Sequence, residues 1–331
     1  MQVYKGIDTF DRPLSRVIMT IGNFDGVHLG HQKIFKLVKE KAKNKNGSSV
    51  VYTFRPHPRE ALKPIQDGAS SLQLLTTYDE KIEQISKLEI DVLIEEPFNR
   101  EFSVISPKDF FNHVVLSKLS AEEIVVGYDF AFGKERQGTL EALGEFCKKS
   151  GVELTVVPPL RIDHEVVSSS RIRQHLLSGE IEKANLLLGR KFSYSGVVIR
   201  GDGRGRKIGF PTANLKLDKK LTLPFGVYAT QIKCKIPTGK GFEEFEEKEF
   251  KSITNIGIRP TFLPLSQEQV LFALVETHIL DASIDLYGVS IEVCFLKKIR
   301  DEKKFPSVND LTQQIQKDIK TVHELFLTSS Y

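Results

Sequence analysis

Gly22-Asn23-Phe24-Asp25-Gly26-Val27-His28-Leu29-Gly30-His31-Gln32 follows the apolar run Val17-Ile18-Met19-Thr20-Ile21. It precedes Ile34, Phe35, Leu37, Val38 and Ala42, which have helical spacing. The order is strand, glycine-rich turn, helix. Such a turn aims backbone N–H groups and the positive end of a helix at one point, which suits an anion. Glycine lets the backbone approach closely, and Gly30 is expected to leave room for a ligand. His28 and His31 are three residues apart, so at a helix start they share one face and can donate to phosphate oxygens.

Working outward, apolar β-branched runs recur at Val50–Phe54, Val92–Ile94, Ile124–Val126 and Leu154–Val157. Helical segments separate them: Lys33–Lys43, Thr77–Leu88, Pro107–Lys118, Thr139–Lys149 and Arg171–Leu177. Alternation of this kind predicts a doubly wound parallel sheet, with ligands at the carboxyl ends of its strands. Three strand ends stand out. Arg55-Pro56-His57-Pro58 is a rigid exit, read either as a stiff loop or as part of a site. Gly127-Tyr128-Asp129-Phe130-Ala131-Phe132-Gly133 offers an acid for a ribose or ring edge and aromatics for a flat face, or else a turn with two core phenylalanines. Ser168-Ser169-Ser170-Arg171 opens a helix whose free N–H groups attract phosphate. Arg171 there opposes the helix dipole unless an anion is bound.

Glu180–Leu188 reads as one more helix, ended by Gly189. From Phe192 the character changes to strand-like runs broken by turns: Tyr194–Ile199, Val227–Ile236, Ser252–Ile256, Val270–His278 and Val289–Phe295. These predict an antiparallel barrel, closed by a capped amphipathic helix over Leu311–Phe326. The boundary is placed at residue 188, giving modules 1–188 and 189–331. Within the second, Gly201-Asp202-Gly203-Arg204-Gly205-Arg206-Lys207-Ile208-Gly209-Phe210-Pro211-Thr212-Ala213-Asn214 reads as a flexible cationic flap followed by two oxygen ligands. Thr212 and Asn214 point the same way in an extended segment, and neutral oxygens suit Mg²⁺ when phosphates complete its shell. Taken alone, the string equally describes an arginine–glycine surface loop touching RNA. Glu276 could serve as a general base or simply face solvent. Lys235–Lys251, rich in glutamate, reads as a charged hairpin insertion, a solvated loop with no catalytic role.

The eleven residues from Gly22, with their His-x-Gly-His, resemble the adenylyltransferase module of bacterial bifunctional riboflavin kinase/FAD synthetases. The resemblance continues in the family's order across nearly the whole chain. It includes Phe-x-Pro-His-Pro, Gly-x-Asp-Phe-x-Phe-Gly, the kinase string ending Pro-Thr-Ala-Asn, Asn255–Phe262, and Val275–Leu280 followed by Asp285–Gly288. Ser170 replaces the family's threonine, and a hydroxyl is kept. The resemblance implies that riboflavin is phosphorylated by ATP to FMN in the second module. In the first, FMN is adenylylated by a second ATP to FAD, with release of pyrophosphate. It implies Mg²⁺ at both sites, with no ligands assigned in the first module. By the same resemblance His28, His31, Arg171 and Glu276 are catalytic, and Thr212 and Asn214 bind the metal. Nucleotide or flavin contacts fall to Gly22, Asn23, Phe24, Asp25, Gly30, Asp129, Phe130, Ser168, Ser169, Gly203, Arg204, Lys207, Gly209 and Pro211, and Asn255–Phe262 lies near the flavin.

Composition bounds the alternatives. The 331 residues suffice for about two domains; 40% are hydrophobic and 27% charged, as in soluble globular proteins. A net charge of +4 disfavours a broad nucleic-acid footprint while allowing local phosphate pockets. Cys147, Cys234 and Cys294 are odd in number and widely spaced, which predicts neither metal site nor disulfide framework. No membrane span or signal peptide is read, so the expected setting is the cytoplasm. Small-molecule substrates and a monomer or weak homo-oligomer are expected. The rivals are a nucleotidyltransferase for another phosphate ester, a flavin-binding regulator without catalysis, and an RNA-binding protein using Arg204, Arg206 and Lys207.

Overall fold

β2 (Val17–Ile21) is buried at every position and lies in the middle of a six-stranded parallel sheet. The computed structural model describes residues 1–62, 72–201, 203–219, 221–237, 245–259, 272–282 and 284–328. They fall into two compact units, Met1–Ser169 and Ser170–Tyr331. In the first, β1 (Gln2–Tyr4), β2, β3 (Ser48–Arg55), β4 (Val92–Pro97), β5 (Ala121–Gly127) and β6 (Glu153–Val157) take the order β1-β4-β3-β2-β5-β6. A sheet covered on both faces has continuous apolar strands, which explains the runs in the sequence. Val17, Met19 and Ile21 face one layer with Val50, Phe110 and Val114. Ile18 faces the other, with Ile34, Val38 and Val125. The helices are α1 (Leu29–Asn44), α2 (Pro58–Ala61), α3 (Tyr78–Ser86), α4 (Arg100–Ser103), α5 (Pro107–Phe110) and α6 (Leu140–Ser150). α7 (Ser169–Leu177) follows the small hairpin of β7 (Arg161–Ile162) and β8 (Glu165–Val166).

The helix predicted over Pro107–Lys118 is α5 followed by a wider π-type turn at Phe111–Lys118. β1, a three-residue edge strand with no alternation to reveal it, was not foreseen. After β2 the chain builds β3 and β4 on one side, then crosses to β5 and β6 on the other. The carboxyl ends of β2 and β5 therefore flank the point where winding reverses, the place where open α/β sheets bind ligands.

In the second unit α8 (Ile181–Leu188) packs on a closed antiparallel barrel. Its strands are β9 (Phe192–Ile199), β10 (Ala213–Leu217), β11 (Gly226–Pro237), β12 (Phe245–Arg259), β13 (Phe272–Ile279) and β14 (Ser290–Arg300), in the order β10-β13-β12-β11-β14-β9. α9 (Arg204–Lys207) lies between β9 and β10, and α10 (Val308–Thr328) ends the described chain. β10, Ala-Asn-Leu-Lys-Leu, alternates apolar and polar residues over its five positions, a strand signal that the reading of the Pro-Thr-Ala-Asn string passed over. The tract Lys235–Lys251 is a charged hairpin, as expected, but it is paired strand rather than loop up to Pro237 and from Phe245, where it extends β11 and β12 in continuous register; 238–244 lie outside the described residues. Its charges complement each other across the ladder, Lys233 with Glu249 at 2.9 Å and Lys235 with Glu247 at 3.5 Å. Among the described residues no helix is long and apolar enough to cross a membrane.

Inside the barrel, hydroxyls satisfy one another. Thr230 bonds Ser252 at 2.8 Å and Thr254 at 2.7 Å, and Thr254 donates to Thr277 at 2.8 Å. All four residues are fully buried. Thr254→Val keeps the shape but leaves hydroxyls of Thr230 and Thr277 short of a partner. Chemical denaturation should register a loss of about 1–3 kcal/mol.

Candidate active sites

The first site begins where β2 ends. Phe24 (φ +51°), Gly26 (+83°) and Val27 (+41°) all adopt left-handed backbone conformations, which two non-glycine residues hold only when surrounding contacts enforce them. The contacts are visible. The Phe24 ring covers Gly22 so closely that a Cβ there would lie 2.8 Å from it. The Asp25 carboxylate accepts from the N–H of Leu75 (3.0 and 3.2 Å) and of Thr76 (3.3 Å). The Asp25 carbonyl accepts from the Ser169 hydroxyl at 2.9 Å. Asp25 and Ser169 thus brace the turn.

The turn delivers His28 to the N-cap of α1, where its Nδ1 accepts from the His31 N–H at 3.3 Å. That bond leaves the proton of the neutral ring on Nε2. The two imidazoles stack with centroids 3.5 Å apart and planes 20° apart. The edge of Phe24 meets His31 at 5.2 Å. A Cβ on Gly30 would sit 3.2 Å from the His28 ring, so this glycine makes room for the histidine itself.

Across the switch point, Asp129 is exposed just beyond β5, and its carboxylate folds back over Gly127. Phe130 and Phe132 stack at 5.4 Å and both pack on the core beneath the sheet. Phe132 is buried in that core, while Phe130 is half-buried against it. His57 caps α2, its Nδ1 accepting from Arg59 N–H at 3.1 Å. Ser168 is half-buried just before α7. Arg171, half-buried in α7, belongs to the second unit, where its guanidinium donates to Gln174 at 2.8 Å.

One residue beside the turn was missed. Lys81 of α3 is buried and lines a small cleft with Asn23, Asp25, His57, Thr76 and Tyr78. Burial pushes its ammonium down to about 8. A signal existed: Lys81 occupies the buried stripe of an amphipathic helix, four residues before Ile85.

The second site is built by barrel register. Asn214 of β10 stands opposite Glu276 of β13, which stands opposite Asn255 of β12. Residues directly opposite share a face, so the three side chains form one row. Val275 and Thr277, on either side of Glu276, are fully buried and face the interior. The row therefore faces outward. His278 follows on the same face and holds the Pro211 carbonyl at 2.7 Å through Nδ1, while its ring meets Phe210 edge-on at 5.8 Å. His278 was not singled out from sequence; its signal is the two-residue step from Glu276.

The stretch read as a flexible flap contains one helical turn, α9, which exposes Arg204, Arg206 and Lys207. Gly203 (φ +65°) and Gly209 (+91°) bound it in left-handed conformations. A Cβ on Gly201 would lie 2.3 Å from the Asn214 amide nitrogen, and one on Gly205 2.2 Å from the Phe210 carbonyl and 3.4 Å from the Thr212 hydroxyl. The glycines let this turn lie directly on the two candidate ligands. Asp202 and residues 260–262 of the Asn255–Phe262 string lie outside the described residues.

No cluster of three or more His, Cys, Asp or Glu able to hold a metal occurs among the described residues. The donor set at Thr212 and Asn214 is neutral oxygen beside one carboxylate at Glu276. That set fits Mg²⁺ sharing its shell with nucleotide phosphates.

A parallel sheet with a histidine pair at its switch point, followed by a small barrel with an Asn–Glu–Asn row, is the architecture of a two-module transferase. The FAD synthetase family model matches residues 11–171 and the riboflavin kinase model residues 188–326. The chain is 38% identical over 327 residues to the bifunctional riboflavin kinase/FMN adenylyltransferase of Buchnera aphidicola subsp. Schizaphis graminum, covering 98% of this chain and 99% of that one. It is 37% identical to the Bacillus subtilis protein of the same name (92% and 90% covered) and 33% identical to that of Escherichia coli K12 (98% and 98%). A crystal structure described as a macrolide-efflux protein from Streptococcus pneumoniae superposes with a TM-score of 0.83 at 29% identity, over 97% of this chain and 98% of that one. The chain belongs to the bifunctional riboflavin kinase/FMN adenylyltransferase family.

Gly205→Ala should force the α9 turn off Thr212, because the obstacle is backbone and cannot rotate away. Riboflavin phosphorylation is expected to fall at least about tenfold, a typical penalty for misplaced reacting groups. Thermal denaturation should show the barrel still folded.

Proposed function

We propose that the N-terminal module, ending at residue 188, joins FMN to the adenylyl group of ATP, and that the C-terminal module, from residue 189, makes that FMN from riboflavin and ATP. The observation that carries this reading is the pair of family models in series on one chain, with the stacked histidines at the sheet's switch point.

In the first reaction an FMN phosphate oxygen attacks the α-phosphorus of ATP. A P–O bond forms, the bond to the bridging oxygen breaks, and pyrophosphate leaves. The protein has little covalent work here; positioning and neutralisation of charge suffice. His28 and His31 hold phosphate oxygens through ring N–H groups, and the N–H groups at the start of α1 add their partial charge. Arg171 contributes a full charge. Asn23, Asp129 and Ser168 lie at the rim as nucleotide contacts.

In the second reaction a riboflavin hydroxyl attacks the γ-phosphorus of ATP and ADP leaves. Glu276 takes the hydroxyl proton as general base. Its place opposite Asn214 supports that role. Thr212 and Asn214 would hold Mg²⁺, which neutralises phosphate charge when bound. Arg204 and Lys207 face the triphosphate, and Gly203, Gly209 and Pro211 shape the approach. The enzyme works on small molecules in the cytoplasm, without nucleic acid, as a monomer or weak homo-oligomer.

Chromatography of products made from riboflavin, ATP and Mg²⁺ tests the assignment, with FMN and FAD both expected. His31→Ala should cut FAD formation by about 10²–10³, as loss of one electrostatic donor does, and spare FMN formation. Glu276→Gln should cut FMN formation by about 10²–10⁴ and spare FAD formation from supplied FMN. Loss of both activities in either folded variant would refute two independent sites. Chelation by EDTA should stop both reactions and added Mg²⁺ restore them.

A further inference from the structure

Lys81 is a buried lysine whose hydrogen-bond acceptors are all neutral: the Thr53 hydroxyl at 3.0 Å, the Phe54 carbonyl at 3.2 Å and the Asn23 carbonyl at 3.5 Å. An ammonium has three N–H donors, and three oxygens receive them. Thr53 also donates its own hydroxyl to the Asn23 carbonyl at 3.2 Å. Asn23 is therefore tied twice to β3, directly through Thr53 and indirectly through Lys81. It opens the turn in which Phe24, Gly26 and Val27 are held at positive φ. A turn so strained relaxes when its restraints are removed, and the histidines at its far end move with it.

We propose that Lys81 is a positioning residue for adenylyl transfer, fixing the Asn23 carbonyl so that the turn presents His28 and His31 to the phosphates. This rests on the N-terminal activity proposed above. A neutral residue of similar length would avoid the cost of burying a charge, yet a neutral amine offers only two donors and would turn a lone pair on one of the three oxygens. The protonated form is the one that completes the clamp.

Charged and titratable groups face it from every side. Glu95 on β4 and Asp25 in the turn favour the ammonium; Arg55 on β3 and Lys5 oppose it. The Tyr78 ring lies 5.4 Å from Nζ, and His57 lines the same cleft. Desolvation outweighs the rest and brings the ionisation to about 8. The clamp is thus complete below that pH and loses one bond as pH rises through it.

Lys81→Met in the full chain tests this, with riboflavin kinase activity as the internal control. The kcat for FAD formation from FMN should fall at least about tenfold with KM for ATP changed less than about threefold, the pattern of an interaction realised in the transition state. The wild type should show kcat declining above about pH 8 in FAD formation alone, and the variant should lack that decline. Should Lys81→Met fail to fold, Thr53→Val removes one acceptor and both Thr53 links, and should lower kcat with the same split. An unchanged kcat in a folded variant, a flat wild-type profile to about pH 9, or a decline that persists in Lys81→Met overturns the proposal. Absence of FAD formation by the wild type would instead remove the activity it serves.

Discussion

Everything in the first unit depends on a turn of seven residues that must leave a buried strand and enter a helix with two imidazoles stacked at its start. The backbone meets that demand with positive φ at Phe24, Gly26 and Val27, a conformation two of these residues resist. The rest of the unit supplies the restraint. Asp25 accepts two amides from residues fifty positions away, Ser169 holds its carbonyl, and Lys81 and Thr53 hold that of Asn23. Buried, hydrogen-bonded anchors of this kind cost little once every partner is satisfied and much when one is lost.

The barrel solves a different problem. Its ligand oxygens and its carboxylate come from separate strands, so alignment follows from ladder register rather than from sequence spacing. Asn214, Glu276 and Asn255 meet because β10, β13 and β12 are neighbours in a closed sheet. Slipping any strand by one residue would turn its member of the row into the barrel, where Thr254 and Thr277 now bond each other. The hydroxyl cluster inside and the site outside thus constrain the same register.

Several residues that sequence motifs single out have a visible structural task within the protein. Gly30 accommodates His28, Gly201 accommodates Asn214, and Phe132 is core. A short motif mixes residues that touch a ligand with residues that let the others stand where they do. Conversely Lys81 is marked by its burial and His278 by its bond to the Pro211 carbonyl, and neither was singled out by a motif.

Local chemistry alone determined the alternation of strands and helices in the first half, the change to strands after Phe192, and the helix start carrying His28 and His31. Those features are written in apolar period, glycine placement and capping, which act over a few residues. Tertiary structure decided the rest. β1 is too short for period to reveal, and how far the charged hairpin beyond Lys235 continues as ladder is set by the pairing of β11 with β12 in the barrel. Which side chains face a phosphate and which hold the turn depends on contacts between residues far apart in the chain, and no local pattern encodes those.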